Sequence, residues 1–112
     1  MDAAALTTAG RIKTDTHDIA GVGTITFRGL SRFELLEAGR IGEQHGAAAQ
    51  EKFILATCLT DPKMTEAEVA AWQRVAPAGE IQPLQKKINA LSLIGKDAAK
   101  SVVQSDGETP DA

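Results

Sequence analysis

The chain has 112 residues, 43% hydrophobic and 24% charged, a composition that fits one soluble globular domain and excludes a disordered, collagen-like or disulfide-rich chain. Only 4% of the residues are aromatic, with no Tyr, so the core has to be built from Leu, Ile, Val and Ala, which favours small helices over a β-sandwich. The formal net charge is −3: residues 1–100 hold all 12 Lys and Arg with 12 of the 15 acids, leaving a neutral body and an acidic end at Asp106, Glu108 and Asp111.

Residues 1–10 are small and polar and read as a flexible arm. From Arg11 to Arg28 the chain alternates, with Ile12, Thr14 and Thr16 before the turn residues Ala20 to Gly23, and Ile25 and Phe27 on one face after it. This pattern predicts a β-hairpin, which needs further packing because a two-stranded ribbon is marginal alone. Ser31 with Glu34 forms a capping box that opens a first helix carrying Phe33, Leu36 and Ile41. A second helix is expected from Ala47 to about Leu59, with Phe53, Ile54 and Cys58 as its larger apolar positions and Asp61-Pro62 as its stop.

Thr65 with Glu68 opens a third helix through Val69, Trp72 and Ala76, ended by Pro77. The fourth has the clearest stripe, Ile81, Leu84, Ile88 and Leu91, with Pro83 in the first turn and Gly95 as its closing residue. A short fifth helix from Lys96 to about Gln104 and a disordered acidic tail over residues 105–112 complete the reading. The expected architecture is mainly α: an N-terminal hairpin followed by four to five short helices, in a single domain spanning 11–104.

Nothing in these patterns carries chemistry. His17 falls in the hairpin, His45 in a Gly-flanked linker and Cys58 in an apolar helix, and their spacings match no metal-ligand pair. Cys58 reads as a buried small hydrophobe, and one cysteine cannot form an internal disulfide. Gly21-Val22-Gly23 leads into a strand, so no helix N-terminus follows it to hold a phosphate. The acids Glu34, Glu37, Glu66 and Glu68 cluster at helix starts, where they complement the helix dipole. No signal peptide, membrane span or cationic run longer than Lys86-Lys87 is read, so neither a membrane nor a nucleic acid is an expected partner. The residues alone indicate an interaction protein without enzymatic activity, cofactor or metal.

The order of features is more specific than any one of them. Gly21 to Glu34, containing a strand of the form G-x-[ILV]-x-[VIF]-R-G-L-[ST]-R-x-E that runs into a helix, resembles the N-terminal region of the tail assembly chaperones of long-tailed bacteriophages. Glu51 to Leu59 followed by Thr60-Asp61-Pro62-Lys63-Met64-Thr65 is similar to that family's helix and D-P-x-[LM]-[ST] connector. Glu66 to Ala76, and then Ala78 to Ser92, are similar to its last two helices. The likeness covers about residues 12 to 100, and departs where Ser92-Leu93-Ile94 delays the expected glycine to Gly95.

The resemblance implies a non-enzymatic protein of the infected bacterial cytoplasm, absent from the mature virion, that coats the tape measure protein during tail assembly. A frameshifted longer form would recruit the tail tube protein. For such a client, the expected partner surface is Trp72, Leu84, Ile88, Leu91, Leu93 and Ile94, and self-association along the client is expected through Ile12, Ile25 and Phe27. Two other classes remain: a small structural head–tail or tail component of the virion, and a helical DNA-binding regulator whose one cationic candidate is the Lys86-Lys87 region.

Overall fold

A computed structural model describes residues 2–93. After a one-turn helix α1 (Ala3–Leu6) come strands β1 (Thr14–Ile19) and β2 (Gly23–Arg28), helices α2 (Arg32–His45) and α3 (Ala47–Cys58), strand β3 (Leu59–Asp61), and helices α4 (Glu66–Val75) and α5 (Gln82–Ser92). The protein is thus a small domain with an N-terminal sheet followed by short helices. Helix α1, capped by Asp2, lies where the sequence suggested only a loose arm, and its residues are exposed. The proposed fifth helix and the acidic tail lie outside the described residues.

The hairpin pairs Thr14 with Arg28 through to Ile19 with Gly23, so Asp15, His17 and Ile19 share a face with Ile25 and Phe27. Gly21 supplies the positive φ, 77°, that the tight connection needs. The hairpin gains a third strand that the sequence reading did not contain. β3 pairs antiparallel with β2, Phe27 opposite Leu59 and Thr26 opposite Asp61, with a bulge between them. This pairing takes Leu59 out of the helix: its backbone is extended, and α3 ends at Cys58. The order β1-β2-β3 leaves β1 as an edge.

One apolar cluster joins the sheet to the helices, with Phe27, Leu55, Leu59, Leu84, Ile88, Val69 and Cys58 fully buried. α3 is central and touches α2, α4 and α5, which is why apolar residues occur around most of its circumference. Both capping boxes form: Ser31 Oγ accepts from the Glu34 amide while Glu34 accepts from the Ser31 amide, and Thr65 and Glu68 repeat the arrangement.

Helix α2 is rotated from the expected register. Leu35 and Ala38 face the core, whereas Phe33 and Leu36 are 74% and 56% exposed. Arg28, at the end of β2, grips Glu34 through two parallel bonds of 2.9 and 3.0 Å, and Glu34 lies on the same side of α2 as Leu35 and Ala38.

Candidate functional site

The junction between hairpin and helices and the open surface beside it differ in chemistry. At the junction, Arg28 also donates to the Gly29 carbonyl (2.9 Å), and its guanidinium with the Ser31 amide holds the Glu34 carboxyl down to about 2. The next residue, Gly29, packs on α5: a Cβ there would lie 2.9 Å from the Leu91 carbonyl carbon and 3.0 Å from the Ser92 nitrogen. The Leu30 amide donates to Ser92 Oγ (2.7 Å), and that hydroxyl donates to the Ile88 carbonyl (2.7 Å). Arg28-Gly29-Leu30-Ser31 is therefore a staple that ties strand, α2 and the end of α5 together.

On another side, the hairpin, the β3 connection and α4 enclose an open groove of about 590 Å³. Ile19, Ile25 and Leu59 contribute from the sheet, Pro62 and Met64 from the connection, and Ala71, Trp72 and Ala76 from α4 and its end. Val22 in the hairpin turn and Val75 on α4 also line it, at 79% and 80% exposure. Its one charged lining residue is Glu80, whose carboxylate accepts the Trp72 indole N–H at 2.9 Å. That bond satisfies the polar edge of the indole and leaves the remainder of the ring as apolar wall.

Of the residues expected to meet a partner, Trp72 alone lines this groove. Leu84 and Ile88 are fully buried, which corrects their assignment to a partner surface. The stripe they form is consumed by α3 and the sheet. Leu91 and Leu93 are half-buried and line a different groove at the end of α5, while Ile94 lies outside the described residues. The self-association set is corrected in the same way: Phe27 is fully buried and Ile25 is 9% exposed, so the inner hairpin face is core, and only Ile12 is exposed. Val22 and Val75 stand outside the expected set: Val22 is at the turn tip, beyond the strand alternation, whereas the spacing of Val75, three from Trp72 and four from Ala71, was a signal that it shares their face.

The candidate chemical residues lie on separate elements. His17 is on β1 with a buried Nδ1 that has no partner among the described residues, His45 ends α2, and Cys58 ends α3. Burial pushes the Cys58 thiol up to about 12, so it carries no thiolate at neutral pH. Among the described residues, no group of three His, Cys, Asp or Glu could hold a metal ion, and no helix is long and apolar enough to cross a membrane. Compared with protein-family models, curated proteins and solved structures, the chain matches none.

Proposed function

We propose that this chain is a non-enzymatic tail assembly chaperone of the long-tailed phage type, which coats the tape measure protein by receiving apolar faces of its helices in the groove between hairpin and α4. The observation that carries the reading is that groove, lined by Ile19, Met64 and Trp72, with Val22 and Val75 exposed on it. Helix-in-groove recognition needs an apolar trough with few fixed polar partners, and the Trp72–Glu80 bond already satisfies the charged residue. Covering a valine contributes about 1.5 kcal/mol or more, so each chaperone copy binds modestly and reversibly, and coverage of a long client comes from many copies. The resemblance of Gly21 to Glu34 and of the Thr60 to Thr65 connector to the chaperone family supports the same reading.

The test is co-expression with a tagged tape measure protein. Wild type is expected to keep the client soluble and to co-purify with it. Val75→Glu should lose both activities while retaining the circular dichroism of the free protein. Failure of the wild type to bind removes the functional reading; equal binding by both proteins removes the groove and leaves the chaperone role.

A further inference from the structure

A second groove, of about 660 Å³, lies where α1, the segment before β1, the start of α2 and the end of α5 come together. Its apolar lining is Leu6, Ile12, Leu30, Leu91 and Leu93, and three cations, Arg11, Lys13 and Arg32, stand among these residues with no carboxylate in the lining. This is the opposite electrostatic character to the Trp72 groove.

Among the described residues, no carboxylate pairs with these cations. The two ion pairs among the described residues are Arg28–Glu34 and Arg40–Glu37, and neither involves Arg11, Lys13 or Arg32. Arg11 makes one neutral bond, donating to the Leu6 carbonyl at 2.8 Å, which fixes the guanidinium beside the groove and leaves its other donors unused among the described residues. Three like charges around an apolar trough repel one another, and a ligand that brings carboxylates removes that repulsion. The lining holds no aromatic ring on which a nucleic-acid base could stack, and its leucine and isoleucine side chains offer apolar contact that a phosphate backbone does not use.

We infer that this groove is a second docking surface, for a peptide segment of a partner protein whose apolar residues are flanked by Asp or Glu. The apolar side chains lie on Leu6, Ile12 and Leu91, the first two of which are exposed, and the carboxylates meet Arg11, Lys13 and Arg32, with Arg able to bind a carboxylate through two parallel donors. The inference stands on the charge of this groove alone and does not require the chaperone reading.

Two amphipathic helical peptides test it, each with leucines along one face, one flanked by glutamates and the other by lysines. They are titrated into the full chain while its backbone amide resonances are followed. The glutamate peptide should shift Arg11, Ile12, Lys13, Leu30 and Leu91 saturably, and the lysine peptide should not. Arg11→Glu with Arg32→Glu should weaken binding by about tenfold or more, as loss of complementary charge does, and Arg11→Gln with Arg32→Gln provides the same test if the reversal disturbs folding. Trp72 fluorescence, which reports the other groove, should stay unchanged.

Equal binding of both peptides, or undiminished affinity in the Arg variants, would overturn the inference. So would shifts centred on Val22, Trp72 and Val75. If neutralising Asp106, Glu108 and Asp111 moves the same groove resonances without any peptide, the occupant is the chain's own acidic end and the partner assignment falls. If those resonances move with protein concentration alone, it is a second copy.

Discussion

The staple around Gly29 and the groove around Trp72 are built from the same hairpin and differ in almost every physical respect. At the staple, polar groups are paired with one another and backbones approach within touching distance. In the groove, apolar side chains face outward with little polar accompaniment, and two valines remain largely exposed. The staple is made by one contiguous stretch, Arg28-Gly29-Leu30-Ser31, together with Glu34 and Ser92. A contiguous stretch thus holds the scaffold, while the Trp72 groove is displayed by residues outside it.

Substitutions at the staple should cost stability, whereas those at the groove should cost binding alone. The largest effect is expected at Gly29. In Gly29→Ala the new Cβ meets the backbone of Leu91 and Ser92, so α5 must shift, at about 2 kcal/mol or more. Thermal unfolding should then drop by on the order of 10 °C. A drop of only a degree or two would show that α5 yields readily and that the staple is soft.

Ser92→Ala comes next. It strands the Leu30 amide, whose residue is buried, and should cost about 1.5 kcal/mol by denaturant titration. Glu34→Gln is smaller at neutral pH, about 1 kcal/mol, because the pair is partly exposed. Its sharper signature is pH dependence. The Glu34 carboxyl is held at about 2, below its ordinary 4.5, so its contribution is complete above 4.5 and is lost as pH falls from there through 2. The gap in melting temperature between wild type and Glu34→Gln should therefore close across that window. A gap that stays constant would mean the charge is not what stabilises the junction.

At the other extreme, Val75→Glu should change stability by no more than about 0.5 kcal/mol, because the side chain is already in water, while abolishing client binding. If this variant unfolds, the valine packs more than its exposure indicates and the contrast between the two regions weakens.

Local signals were the most legible. Both capping boxes and the shared face of Ile81, Leu84 and Ile88 follow from residue spacing alone, because a helix brings positions three and four apart onto one face whatever surrounds it. Helix α2 shows where that logic stops. Phe33 and Leu36 are large hydrophobes, yet Leu35 and Ala38 are the residues of α2 that pack against the core. Strand β3 was illegible for a different reason: Leu59-Thr60-Asp61 is too short to show alternation, and its extended form depends on pairing with β2.

The sequence by itself determined the hairpin, the helix starts and the aliphatic nature of the core, since each depends on residues within a few positions of one another. Tertiary structure decided which hydrophobes became core and which stayed at the surface. Leu84 and Ile88 were taken inward by α3 and the sheet, and Val22 and Val75 were left outside on a groove assembled from three separated stretches. It also set Arg11, Lys13 and Arg32 around a common trough. Burial and charge clustering depend on what lies opposite in space, and that is settled only when distant segments pack.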